Sequence, residues 1–105
     1  MRNVKPPDPW NSATGHVVRR RCWVRDKQRK APCHICEGRR GPIDYDAKPS
    51  STPLSWEPDH IKPRSRYPEL CLVMSNIGAS HKVCNRMKGS KLKQNDLGTP
   101  SRNWN

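Results

Sequence analysis

The side chains best suited to chemistry are concentrated in two stretches of this chain. One is residues 56–61 (WEPDHI), and the other is residues 76–89, which begins at Asn76 and contains Asn85. Carboxylate and amide oxygens suit hard divalent cations, and a histidine that titrates near neutral pH suits general-base work. A carboxylate beside a histidine, with two asparagines downstream, is therefore the set that metal-dependent hydrolysis of a phosphodiester needs.

Four other residues form two pairs with the spacing of zinc ligands. Cys33 and Cys36 make a Cys-x-x-Cys pair, and His81 and Cys84 make a His-x-x-Cys pair. Ligands separated by two residues can face one ion from a turn, so two such pairs can close a tetrahedral structural site. The alternatives are that the two cysteines are free thiols, or that His81 is a catalytic residue. The spacing from His81 to Cys84 favours zinc.

Composition explains why such an ion would matter. Only 31% of the 105 residues are hydrophobic, with 11 Pro and no Phe, so we expect one small domain with a thin core. Structural zinc would add folding free energy directly. The odd number of five cysteines argues against a disulfide framework. Cys22 and Cys71 are interpreted as small buried apolar residues, and His16 and His34 as surface imidazoles.

The formal charge of +12 predicts a polyanionic partner, and nucleic acid is the leading class. The simpler alternative is that lysine and arginine only keep the chain in solution. A membrane partner is not expected, since no basic face is joined to a continuous apolar stripe. No apolar run could span a bilayer and no secretory block follows Met1, which predicts a cytoplasmic location.

Three regions are predicted along the chain: an extended arm over residues 1–14, one domain over 15–91 and a flexible tail over 92–105. Pro-rich composition indicates the arm, and a change to polar residues after Gly89 indicates the tail. Within the domain, the apolar spacing predicts a basic helix from Gly15 to about Lys30.

Further elements are predicted from pattern alone. Alternation over residues 54–57 predicts a strand that runs into Asp59 and His60, and residues 43–45 could form another short strand. A second basic helix is expected from Ser80 to Lys91, with Ser80 as its N-cap and Gly89 near its end.

Together these motifs resemble the HNH endonuclease family, in particular its small zinc-stabilised members of phage and bacterial type. The resemblance covers roughly residues 17–91. It is carried by Cys33/Cys36, Asp59-His60-Ile61 with Pro63, Asn76, and His81/Cys84-Asn85 with Lys88. It implies an α+β fold, namely a ββα-metal (His-Me finger) domain with an N-terminal basic helix. Asn85 stands where the family has its last histidine, and residues 67–74 replace a usually Gly-rich loop.

The resemblance also implies roles for individual residues. His60 would be the general base and Asn76 would orient it by hydrogen bonding, a role that Ser75 or Asn85 could share. Asp59 and Asn85 would hold a catalytic Mg²⁺ or Mn²⁺ ion. Cationic side chains are expected to contact the nucleic-acid backbone: Arg64, Arg66, Arg86, Lys88, Arg19 and Arg20.

The function that the resemblance implies is a metal-dependent DNA endonuclease. Its expected setting is a bacterial or phage-infected cell, beside packaging or restriction machinery, as a monomer or weak dimer. A different class also fits the charge and the zinc pairs: a non-catalytic zinc-bound nucleic-acid adaptor. A third is a structural zinc protein of a ribonucleoprotein particle, which would leave Asp59, His60 and both asparagines as coincidences.

Overall fold

The computed structural model describes residues 8–96, with side chains as far as residue 90. Two helices flank a two-stranded antiparallel sheet in a small α+β fold. The order is α1 (Ala13–Arg29), β1 (Trp56–His60), β2 (Ile77–His81) and α2 (Lys82–Asp96). Short 3-10 turns occur at Pro9–Asn11, Pro68–Leu70 and Met74–Asn76. No helix of the described residues is long and apolar enough to cross a membrane.

Local signals explain where α1 begins and ends. The Ser12 hydroxyl accepts a hydrogen bond from the Gly15 amide at 3.1 Å, as an N-cap residue does, and Lys30 ends the helix in the left-handed conformation. The predicted helix is confirmed, although it begins two residues earlier. Gly15 is needed there because a Cβ would lie 2.2 Å from the Trp10 carbonyl oxygen. This close approach seats the first 3-10 turn against α1.

The sheet joins two distant parts of the chain in one register. Asp59 lies opposite Gly78 and His60 opposite Ile77. The strand predicted from residue 54 into His60 is confirmed over residues 56–60, whereas the predicted strand at 43–45 is reduced to one isolated bridge between Asp44 and Ser55.

The prediction that Ser80 caps the second helix is wrong. Ser80 belongs to β2, and its hydroxyl donates to the Glu57 carbonyl oxygen at 2.6 Å. The helix begins at Lys82 and passes Gly89 to reach Asp96, so residues 92–96 of the predicted tail belong to it. The arm prediction for residues 1–7 and the tail prediction for 97–105 lie outside the described residues.

A polar network supplements the thin core. Asp26 is 1% exposed, and its carboxylate accepts hydrogen bonds from Arg25 and from the indole nitrogen of Trp56. Arg25 also donates to the carbonyl oxygens of Met74 and Ile77. These contacts tie α1 to both strands, which helps to hold the sheet in place where few apolar side chains are available.

Candidate functional site

A buried cluster brings the two predicted ligand pairs together. The ligand atoms of Cys33, Cys36, His81 and Cys84 all lie within 4.8 Å of one another, and all four residues are buried. The first pair lies in the turns after α1, and the second joins the end of β2 to the first turn of α2. The cluster could therefore hold a metal ion. Three thiols and one imidazole are a ligand set of closed structural zinc sites.

His81 is oriented for this role. Its Nε2 atom lies 3.2 Å from the Pro42 carbonyl oxygen, which can only accept, so Nε2 carries the proton. Nδ1 then presents its lone pair, 3.5 Å from the Cys36 sulfur and 3.7 Å from the Cys84 sulfur. Metal-bound histidines commonly donate their second ring nitrogen to a carbonyl in this way.

The thiols differ in how readily they ionise. Desolvation opposes ionisation of Cys36, but backbone donors at Arg40 and Gly38 outweigh it and lower its pKa to about 6. Desolvation, followed by the neighbouring Cys33 and Cys36, raises the pKa of Cys84 to about 11. A divalent cation would remove the conflict between closely spaced thiolates, because it favours the ionised form of each ligand.

A separate cleft of about 670 Å³ is lined by the candidate general base, His60, and by other predicted site residues. Asp59 and His60 reach it from the end of β1, Asn85 from the first turn of α2, and Arg64 from the loop after β1. Four predicted site residues, from the end of β1, the loop after it and the start of α2, therefore meet at one surface. Trp10 lines it too, with its ring centroid 4.5 Å from that of His60 at an interplanar angle of 68°.

His60 is held in a form that can accept a proton. Its Nε2 atom lies 2.8 Å from the Cys71 carbonyl oxygen and must donate to it, which leaves the lone pair on Nδ1. Burial lowers the pKa of His60, and the Cys71 carbonyl opposes this shift. The ring is therefore neutral at pH 7, as a general base has to be.

Asp59 is held by two donors. His34 Nε2 and Lys88 Nζ lie 2.8 and 2.7 Å from the same Asp59 oxygen, Oδ2. Desolvation by itself would raise the pKa of Asp59, but these two hydrogen bonds hold it below its usual range. The carboxylate is therefore charged at neutral pH. Lys88 also donates to the His60 carbonyl oxygen at 3.1 Å.

Asn85 is positioned by a buried acidic residue. Its amide nitrogen donates to Glu57 Oε1 at 2.8 Å and to the Pro58 carbonyl oxygen at 3.3 Å. Burial would raise the pKa of Glu57, whereas hydrogen bonds from Arg86 and Asn85 help to lower it. Since the amide nitrogen is fixed by two acceptors, the amide oxygen of Asn85 is left for another partner.

Asn76 makes no hydrogen bond to His60 within the described residues, unlike the predicted arrangement. Its side-chain oxygen accepts from the Lys62 amide at 2.9 Å, and its nitrogen donates to the Lys62 carbonyl oxygen at 3.1 Å. A longer bond of 3.5 Å reaches the Leu70 carbonyl oxygen. Asn76 thus anchors the loop after β1, whose Cys71 carbonyl holds His60. Its effect on His60 passes through the loop backbone.

We predict that Asn76→Ala lowers the free energy of unfolding by about 1–3 kcal/mol, because the Lys62 amide and carbonyl groups would lose their hydrogen bonds to the buried Asn76 side chain. Urea denaturation would measure the change. Asn11→Ala is a suitable control, since Asn11 is exposed and bonds only to the Asp8 side chain through its amide; it should cost less than about 0.5 kcal/mol. Equal losses in the two variants would contradict the anchoring role.

The six cationic residues predicted to contact nucleic acid lie in different environments. Arg64 lines the cleft and pairs with Asp8 at 3.1 Å, and Arg86 and Lys88 are paired with Glu57 and Asp59. Arg19 lies over the Trp10 ring at 5.0 Å. The remaining two, Arg20 and Arg66, are exposed. Lys88 and Arg86 thus orient Asp59 and Glu57, a role that the sequence prediction did not give them.

Three further residues of the site were missed from sequence. The interpretation of His34 as a surface imidazole is incomplete: the residue is exposed, but its ring also bonds to Asp59. The sequence prediction places Asp8 and Trp10 only in the arm, whereas both line the cleft. The signal for His34 was its place inside the Cys-x-x-Cys pair, which fixes it near the cluster. Cys22 and Cys71 are confirmed as buried residues outside the cluster.

Comparisons of the chain with models of protein families, with curated proteins and with solved structures found no match. The likeness to HNH endonucleases stays a prediction from the sequence motifs.

Proposed function

We propose that this protein is a metal-dependent DNA endonuclease, with a structural zinc ion in the four-residue cluster. The observation that carries the proposal is the meeting of Asp59, His60 and Asn85 at one cleft, on a frame that the cluster closes. The order β1, β2, α2, with Asp59 and His60 ending β1 and Asn85 beginning α2, supports the ββα-metal type of fold.

In the proposed mechanism His60 removes a proton from water. Its ring is neutral, its Nε2 is committed to the Cys71 carbonyl, and Nδ1 is left to accept. The hydroxide formed would attack phosphorus as the P–O bond to the leaving oxygen breaks. General-base catalysis of this kind contributes about 10²–10⁴-fold to a rate.

Asp59 and Asn85 are the residues that would hold the catalytic cation. They offer one charged carboxylate and one amide oxygen, a hard donor set that fits Mg²⁺ or Mn²⁺. The cation, when bound, would neutralise charge on the phosphate and on the leaving oxygen. This chain contributes the orientation of both ligands, through Lys88 and His34 at Asp59 and through Glu57 at Asn85.

The charge of the chain and of the cleft wall supports nucleic acid as the substrate class. The chain carries a formal charge of +12, and Arg64 lies at the cleft wall. Phosphate contacts from such side chains give binding that falls steeply with salt and carries little sequence information. We therefore expect DNA cleavage with weak sequence preference.

A plasmid-nicking assay tests the proposal. Zinc-loaded protein is incubated with supercoiled DNA in the presence of Mg²⁺, Mn²⁺ or neither, and an RNA of similar length is tested in parallel. We expect cleavage of DNA only when a divalent cation is added. Absence of cleavage with every cation, together with salt-sensitive DNA binding, would reject the nuclease.

DNA binding without cleavage would favour the alternative, a zinc-bound nucleic-acid adaptor. One observation supports this class: Asp59 is already paired with Lys88 at 2.7 Å and bonded to His34, as a structural carboxylate would be. An adaptor has no requirement for His60. Replacement of His60 should therefore reduce cleavage if the protein is a nuclease, and should have no such effect if it is an adaptor.

We predict that Asp8→Asn strengthens DNA binding by about two- to fivefold at low salt, because it frees Arg64 from an exposed ion pair and removes a negative charge from the cleft. Asparagine can still cap the turn at Trp10, so the local fold is kept. Fluorescence anisotropy over a salt series would measure the gain. Asp46→Asn, which removes the same charge at an exposed site outside the cleft lining, is the control. An equal gain in both variants would show that only net charge matters.

A further inference from the structure

His34 connects the metal cluster to the candidate catalytic cleft. It lies between Cys33 and Cys36, and its backbone amide donates to the Ala79 carbonyl oxygen on β2 at 3.0 Å. The segment that supplies two ligands is therefore fastened to the sheet beside His34. Its own side chain is free to extend across the strand.

The direction of that side chain depends on Gly78. A Cβ on Gly78 would lie 2.9 Å from Cδ2 of His34, so the ring occupies the space that any larger residue would fill. Gly78 is also the residue directly opposite Asp59 in the sheet. The missing side chain on β2 thus opens a path by which the ring crosses to β1 and meets the Asp59 carboxylate at 2.8 Å.

The consequence for Asp59 is that its two oxygens become different. Oδ2 accepts from both His34 and Lys88, whereas no hydrogen bond reaches Oδ1 within residues 8–90. The two donors come from opposite sides of the site, one from the metal-binding turns and one from α2. A carboxylate held in this way has one oxygen committed to the protein and the other available to a cation.

We propose that His34 is a positioning residue, which holds Asp59 through Oδ2 so that Oδ1 faces the divalent cation. This inference rests on the proposed function, and it extends that function to a residue between two zinc ligands. The four-residue metal cluster and the candidate catalytic cleft are then connected through the imidazole of His34. Removal of a partner that orients a metal ligand typically lowers metal affinity by about 10–100-fold.

The test measures cation binding rather than cleavage. Mn²⁺ is titrated into zinc-loaded full-length protein, and free Mn²⁺ is counted by electron paramagnetic resonance; Mg²⁺ is then added as a competitor. We expect His34→Ala to weaken Mn²⁺ and Mg²⁺ binding alike by at least about tenfold. His34→Gln, whose amide can still donate to Oδ2, should recover most of that loss. His16→Ala, at an exposed histidine on α1, should change nothing.

A second variant covers the case in which His34→Ala disturbs the turn that carries Cys33 and Cys36. Gly78→Ala keeps His34 and every ligand but forces the ring from its place, so it should weaken Mn²⁺ binding in the same direction. Zinc content is measured in each variant. If the wild type binds Mn²⁺ and both variants bind it equally tightly, the positioning role of His34 is rejected while the proposed nuclease is not.

Two other results are also decisive. If the glutamine variant is not rescued and Mn²⁺ affinity falls much more than Mg²⁺ affinity, His34 is a direct ligand, because imidazole favours transition metals, and the positioning role is rejected. If the wild-type protein binds neither cation, the proposed nuclease fails first and this inference falls with it.

Discussion

Replacing Cys84 with serine is expected to abolish the cooperative unfolding transition of this protein. Structural zinc contributes about 10–16 kcal/mol of apparent binding free energy in zinc-finger peptides, which is comparable with the whole stability of about 5–15 kcal/mol of a small domain. Cys84 is 4% exposed and belongs to the four-residue cluster. Circular dichroism during heating would measure the transition, and native mass spectrometry would count zinc.

Cys71→Ser is the matched control. Cys71 is also 4% exposed but lies outside the cluster, so its replacement should cost only about 1–2 kcal/mol and leave one zinc ion bound. Removal of zinc from the wild-type protein with a chelator should reproduce the Cys84 result and be reversed by added zinc. A Cys84 variant that still unfolds cooperatively, at a similar temperature, would show that the ion is not needed for folding.

His60→Ala is expected to reduce the rate of DNA cleavage by about 10²–10⁴-fold while leaving DNA affinity and zinc content unchanged. The reason is that, in the proposed mechanism, Nδ1 of His60 accepts the proton from water, and alanine offers no substitute. Single-turnover cleavage of a labelled duplex with Mg²⁺ would measure the rate, and a filter-binding or anisotropy assay without the divalent cation would measure affinity.

The control for this prediction is His16→Ala, which removes an exposed imidazole from α1. Its cleavage rate should stay within about twofold of the wild type, as surface substitutions rarely alter more. Cleavage at the wild-type rate by His60→Ala would reject His60 as the base. Loss of zinc or of DNA binding in that variant would instead indicate a structural role for the ring.

The sequence predicted best what depends on short spacing. Cys33 with Cys36, and His81 with Cys84, carry their geometry in three-residue intervals, and the structure brings the two pairs together. The strand that ends in His60 was also visible from alternation. Ser80 was misassigned because a serine before a run of polar and basic residues resembles an N-cap, although pairing with Glu57 draws it into β2.

Contacts that depend on strand register could not be predicted. The bond from His34 to Asp59 exists because Gly78 lies opposite Asp59, and nothing in either segment alone specifies that pairing. Asp8 and Arg64 are separated by 56 positions, so their ion pair has no local signature. A bond from Asn76 to His60 was predicted, whereas the bonds that Asn76 makes to Lys62 depend on how residues 61–76 are folded.

The long interval between the two halves of the metal cluster bears on how a newly made chain matures. Cys36 and His81 are 45 positions apart, and β1 with its Asp59 and His60 lies between them. During synthesis from the N-terminus, Asp59 and His60 therefore leave the ribosome before the second ligand pair does. Closing so large a loop carries an entropic cost that only the late ligands can offset. For the proposed nuclease, catalytic competence would therefore depend on the arrival of His81 and Cys84, which follow the reactive groups in the chain.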